Sequence, residues 1–217
     1  MSEGLRERKK QQTRRRIRDV ATALFVERGF EHVTIAEVAA AAEVSVNTVY
    51  NYFQIKEDLV LPPDEASPHR LADIVRRRPA GQAAVPAVLD HLRAEVRRRD
   101  RKMGLTEGFG RVLEMMRAAP TLTARLGDLG QQMTDELAAV LAEETGAAPG
   151  DPLPRMVAWH IGGFHALVYA EIGKRTAAGD SADDIAPAVL ELLDVFEDLL
   201  GERLLTYAPR KDRPCSE

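Results

Sequence analysis

Apolar residues recur at helical spacing along almost the whole chain, and no segment alternates them at the two-residue period of a strand. The stretch from Met156 to Ala170 takes this furthest, with 15 residues and no Asp, Glu, Lys or Arg among them. A helix that is apolar on every side must be covered by neighbours. Ala, Leu, Glu and Arg dominate, and aromatic residues make up only 5% of the chain. That composition favours helix over sheet. With 217 residues, 45% of them hydrophobic, the chain can bury a substantial core. The expected fold class is all-α.

Punctuation along the chain divides this helical pattern. A basic opening segment runs into Ile17, Val20, Ala21, Leu24 and Phe25, an i, i+3, i+4, i+7, i+8 stripe, and should stop at Gly29. Thr34-Ile-Ala-Glu37 is a capping box, in which each end can satisfy the other's orphan amide, and the helix it opens would bury Ile35, Val38, Ala39 and Ala42. Ser45 can cap a third helix with Val49 and Phe53 facing inward. Lys56 to Leu61 begins a fourth helix that Pro62-Pro63 must break or bend. Beyond this lie a loose, proline-rich connection with one short helical pattern through Leu71, Ile74 and Val75, and then helices over 84–102, 106–118, 122–145, 153–176 and 184–205. Pro187 is tolerable only in a first turn, which favours Asp184 over Ser181 as the cap of the last helix. The division expected is 1–60 for a first domain, 61–208 for a second and 209–217 for a flexible tail.

The formal charge of -4 conceals an asymmetry. Residues 1–18 carry eight bases and two acids, a net of +6, which leaves -10 for the rest. A basic arm on an acidic body suits a protein that meets a polyanion at one end and repels it elsewhere. The only cysteine, Cys215, rules out an internal disulfide or redox pair and points to a reducing, cytoplasmic setting. The opening residues lack an apolar signal core, and no apolar run reaches the ~20 residues of a membrane span. No nucleophile motif, glycine-rich phosphate loop or metal-ligand spacing supports an enzyme, and no cofactor or metal is expected. His160 and His165 are five residues apart, about 140° around a helix, so they do not share a face.

Two short helices, Thr34–Ala41 and Ser45–Phe53, with a brief turn between them fit a helix-turn-helix, whose second helix enters the major groove. With Val49 and Phe53 inward, Ser45, Val46, Asn47, Tyr50 and Asn51 face outward and none is charged. Such a face suits a groove: Asn can read base edges, Val46 can touch a thymine methyl, and hydroxyls can bond phosphates. The basic arm, with Arg14 and Arg15, would supply phosphate attraction. The same three helices could also be a plain helical subdomain or serve only protein contacts.

The stretch from Gly29 to Leu59 resembles the TetR family of bacterial transcriptional regulators, over about residues 10–60. Thr34, Ala39, Val44-Ser45, Thr48, Tyr50, Tyr52-Phe53 and Lys56-Glu57 fall in register with it. The resemblance implies that Thr34 anchors the second helix on phosphate and that Ser45 to Asn51 read the groove. It further implies that Thr48, Tyr52 and Lys56 contact the DNA backbone. Glu43 departs from the glycine common in that turn, so the turn should be helical or strained there. Val46 and Asn47 also depart, so the operator sequence cannot be borrowed from relatives. The function implied is a ligand-responsive regulator of transcription, a repressor released from a palindromic DNA operator by an effector; activation is an alternative on the same fold.

In that family the rest of the chain is a helical effector-binding and dimerising domain. The charge-free Met156–Ala170 helix and the last helix, with Val189, Leu192, Leu193, Phe196, Leu199 and Leu200, could build a four-helix interface between two copies. Candidates to line a largely apolar effector pocket are Leu89, Leu92 and Val96, then Phe109, Leu113 and Met116, and finally Trp159, Phe164 and Tyr169.

Overall fold

The computed structural model describes residues 2–61, 66–105 and 108–211. Every regular element among them is helical, as the periodicity requires. Two compact units form: residues 1–66 with 111–126, and residues 67–110 with 127–217. The first is discontinuous. Residues 111–126 return to it from far along the chain.

In the first unit α1 (Ser2–Arg28) runs for 27 residues. It ends where Gly29 adopts φ +85 and donates its N–H to the Phe25 carbonyl at 2.9 Å. A left-handed residue just past the helix is the usual stop, and glycine takes it without steric penalty. α2 (Ile35–Ala41) opens on the expected capping box at Thr34 and Glu37. α3 (Val46–Tyr52) is capped by Ser45, whose Oγ accepts from the Thr48 amide. The core joins Ile17, Ala21 and Phe25 of α1 to Val38, Ala39, Val49 and Phe53. Val20, Leu24 and Ile35 lie at its margin, half-buried.

Met115, Met116, Ala119 and Leu122 complete that same core, with Leu113 packed against it. They come from α6 (Phe109–Ala118), the start of α7 (Pro120–Thr145) and, for Ala119, the residue between them. Met116 therefore belongs to the core of the helix-turn-helix unit and Leu113 packs against it, rather than joining the core of the other unit. A helical stripe alone cannot say which core it faces.

The fourth helix expected from Lys56 is a single 3₁₀ turn, Lys56–Leu59. Buried Asp58 stops it from extending backwards by accepting from the Gln54 and Ile55 amides at 3.2 and 3.3 Å. Pro62 and Pro63 lie outside the described residues.

The second unit holds α4 (Arg70–Arg77), α5 (Ala84–Arg97), α8 (Leu153–Ala178), α9 (Ala182–Leu199) and α10 (Glu202–Leu205), with the later part of α7. α5 is shorter than expected, and a separate 3₁₀ turn spans Arg101–Met103. Leu89, Leu92, Val96, Leu137, Leu141, Ile161, Val168, Val189 and Leu193 fill one continuous core. Ser181, not Asp184, caps α9, its Oγ accepting from the Asp184 amide. Pro187 therefore lies inside the helix. It is exposed, so the carbonyl its missing N–H leaves free is near the helix start and open to water.

Arg78 ties the unit's ends together. Its guanidinium is fully buried. It donates to Glu144 at 2.5 Å, to the carbonyls of Gln82 and Ala208 at 2.8 Å, and to the Val75 carbonyl. Arg210 exchanges backbone bonds with Gly81 and Gln82 at 2.9 and 3.0 Å, so the expected free tail is anchored at least to that residue. Residues 212–217, including Cys215, lie outside the described residues.

α8 corrects a further expectation. Val157, Ala158, Ile161, Phe164, His165 and Val168 are buried, but Met156, Trp159 and Leu167 are 54%, 71% and 48% exposed. One side of the charge-free stretch of this helix is thus uncovered within the chain. Trp159 lies on that outer side and lines no interior pocket, whereas Leu92, Val96, Phe164 and Tyr169 belong to or abut the buried core.

Candidate nucleic-acid interface

The interface begins with the turn between α2 and α3. Glu43 adopts φ +52, its N–H bonds the Ala40 carbonyl at 3.1 Å, and the Val44 N–H bonds the Ala39 carbonyl at 2.9 Å. This paired pattern is a Schellman ending. It sets the angle between the two helices, and a glutamate holds it at a strain of roughly 1 kcal/mol.

The turn fixes what α3 shows to solvent. Val49 and Phe53 are 0% and 2% exposed, while Val46 and Tyr50 are 38% and 50% exposed. Ser45, Asn47 and Asn51 are exposed, and Thr48 and Tyr52 are half-buried. The outward face therefore carries the predicted reading set without a formal charge. Ser45 and Thr48 share a hydroxyl–hydroxyl bond of 2.8 Å, which orients both at the helix N-terminus.

Beside this face α1 supplies cations. Arg6, Lys9, Lys10 and Thr13 of α1 line a cleft of about 420 Å³ with Thr48, Asn51 and Tyr52 of α3. A polyanion lying along α3 would meet ammonium groups on one side and amide and hydroxyl groups on the other. Of the two arginines that the sequence singles out, Arg14 places its guanidinium 5.5 Å from the Phe53 ring centroid, and Arg15 pairs with Asp19 at 3.8 Å. Arg6, Lys9 and Lys10 were legible only as part of a general basic run. The sharper signal was their i, i+3, i+4, i+7 spacing with Thr13, which puts all four on one helical face.

Thr34 and Lys56 have intramolecular duties. The Thr34 hydroxyl accepts from the Glu37 amide at 3.2 Å and lies 2.8 Å from the Glu37 carboxylate, to which it donates. Its single proton is therefore committed. The Thr34 amide and then the Arg28 guanidinium, 2.6 Å away, hold the Glu37 carboxyl down to about 2. Lys56 is half-buried, with Nζ donating to the Phe30 carbonyl at 2.5 Å.

Among the described residues no group of three or more His, Cys, Asp or Glu could hold a metal ion, and no helix is long and apolar enough to cross a membrane. His160 is exposed and bonds the Met156 carbonyl at 2.7 Å; His165 is buried on the other side of the helix.

Residues 17–61 match the profile of bacterial regulatory proteins of the tetR family. The chain is 30% identical over 158 residues to the HTH-type transcriptional regulator TcmR of Streptomyces glaucescens, covering 71% of this chain and 70% of that one. The fold is similar to that of NalD, the secondary repressor of the MexAB-OprM multidrug efflux pump in Pseudomonas aeruginosa. There the TM-score is 0.55 at 20% identity, over 86% of this chain and 97% of NalD. With the helix-turn-helix geometry and the TcmR likeness in agreement, the chain belongs to the TetR family of bacterial transcriptional regulators and is a DNA-binding regulator of transcription.

Proposed function

We propose that the chain acts as a homodimeric repressor that a small-molecule effector releases from a palindromic operator. The observation that carries this reading is the uncharged, exposed face of α3 beside the lysine-bearing face of α1. Val46, Asn47, Tyr50 and Asn51 read base edges, and Lys9 and Lys10 with the hydroxyls of Ser45, Thr48 and Tyr52 hold phosphates.

A second copy is supported by the uncovered apolar residues of the other unit. Met156, Trp159 and Leu167 on α8 are exposed, and so are Val195 and Leu199 on α9, at 52% and 79%. A two-fold axis through such a patch is self-complementary and would present two recognition helices to half-sites ~34 Å apart. A dimer seated there keeps other proteins off the DNA. An effector in the second unit would favour a dimer whose helix spacing no longer matches the grooves.

The test is a gel-shift with the DNA upstream of the chain's own gene, run over a salt series. A specific complex that weakens steeply with salt is expected. Equal binding to unrelated DNA at every salt concentration would end the proposal.

A further inference from the structure

Besides Arg78, the largely apolar core of the second unit holds a polar island built from three helices. Arg70 of α4 donates twice to Glu95 of α5, at 2.6 and 2.8 Å. His91, one turn before Glu95, places Nε2 3.3 Å from the same carboxylate. From α8, His165 and Tyr169 set their ring centroids 4.9 Å apart with the planes tilted by 43°, and both feel the charges of Arg70 and Glu95.

Two atoms of this island are buried without a hydrogen-bond partner among the described residues: Arg70 Nε and His165 Nε2. His165 is only 9% exposed. Nearly all buried polar groups in folded proteins are bonded, because leaving one unbonded forfeits its hydration for nothing. Two orphans on one cluster leave hydrogen-bonding capacity that a further group could meet. Arg70 Nε–H can only donate, so the missing atom must accept. The Arg70 and Glu95 charges compensate each other, and burial together with Arg70 keeps His165 neutral. A net-neutral island favours a neutral acceptor over a carboxylate, which would have to lie close to Glu95. The surroundings are hydrocarbon: Leu89, Leu92, Val96 and Val168 belong to the same core.

We propose that Arg70 Nε and His165 Nε2 form the polar anchor of the effector site, recognising a neutral carbonyl or phenolic oxygen on an otherwise apolar molecule. This rests on the effector reading above, and it adds to the largely apolar pocket expected from the sequence a group that selects for oxygen.

Benzophenone and diphenylmethane share a shape and differ at the carbonyl, and 4-phenylbenzoate supplies an anion. Binding of each to the full-length protein is measured by titration calorimetry, and benzophenone is also photo-crosslinked and mapped by mass spectrometry. Benzophenone should bind at least tenfold more tightly than either comparator and crosslink to peptides of α5 or α8. In His165→Phe, and separately in Arg70→Lys, that preference should vanish while diphenylmethane affinity stays within about twofold. The second variant keeps the partner charge for Glu95, so the result stands if one variant fails to fold. The proposal is overturned if benzophenone does not bind, if it binds no better than diphenylmethane, if 4-phenylbenzoate is preferred, or if the preference survives both substitutions. None of these readouts involves DNA. Oxygen selectivity without release of the DNA complex would therefore defeat the repressor reading alone.

Discussion

The ammonium of Lys56 lies 2.5 Å from the Phe30 carbonyl and 4.3 Å from the centre of the Phe30 ring, with the Phe25 ring 5.6 Å away. One side chain thus clamps the loop after α1 to the turn after α3. A cation over aromatic faces with a charge-assisted bond contributes about 1–2 kcal/mol when partly desolvated. Lys56→Met should therefore lower the melting temperature by roughly 2–8 °C, measured without DNA. A residue whose sole task was a phosphate contact would leave the melting temperature of the free protein unchanged.

The two halves of the proposed interface should separate under mutation. Tyr50→Ala and Asn51→Ala remove exposed groups, so the fold should hold while operator affinity falls by about 1–3 kcal/mol for each base that is no longer read. Lys9→Ala with Lys10→Ala should instead weaken every DNA alike and flatten the salt dependence by about one unit of slope for each phosphate released. Fluorescence anisotropy with operator and scrambled duplexes over a salt series checks both. A change in sequence preference from the lysine pair would contradict the assignment.

Local signals carried most of what the sequence disclosed. The Thr34–Glu37 box, the Ser45 cap, the stop at Gly29 and the inward pair Val49 and Phe53 all depend on residues within one or two turns of each other. What was illegible depends on distance along the chain. Nothing near Met116 or Leu113 says that they pack with Ile17 and Phe25 rather than with Leu92. Nothing near Arg78 announces Glu144 or Ala208. Trp159 looked like lining because its neighbours are uncharged, yet a helix can be apolar all round and still be covered on one side only. Pro187 pointed to Asp184 as the cap of α9, but the outer face of that helix tolerates a proline where a buried face would not.

The Arg78 and Glu144 pair predicts a large stability effect. The guanidinium is fully buried and the glutamate is 28% exposed. Arg78→Ala would strand that carboxylate and the carbonyls of Gln82 and Ala208, costing about 3–5 kcal/mol. Replacing both, Arg78→Met with Glu144→Leu, removes the stranded charge. The double variant should be more stable than Arg78→Ala by urea unfolding, although the carbonyls remain unbonded. Equal stability would mean that packing, not the stranded charge, sets the loss.

His165 predicts how stability follows pH. Burial, then the nearby Arg70 guanidinium, lowers its pKa from 6.5 to about 4. The unfolded chain therefore takes up a proton as pH falls below 6.5, while the folded chain does not until about 4. Stability supplied by the neutral ring is complete above 6.5 and drains away towards 4, since the state that binds more protons gains as pH drops. From pH 7 to pH 5 the loss should be about 2 kcal/mol. Glu95 faces the same island, and its pKa is lowered from 4.5, so its contribution is lost only at more acid pH. The comparison that checks this is between the wild type and His165→Phe. Urea unfolding of the two at pH 7 and pH 5 isolates the effect: the wild type should lose about 2 kcal/mol more than the variant. Parallel losses would show that His165 is protonated as readily in the folded chain as in the unfolded one.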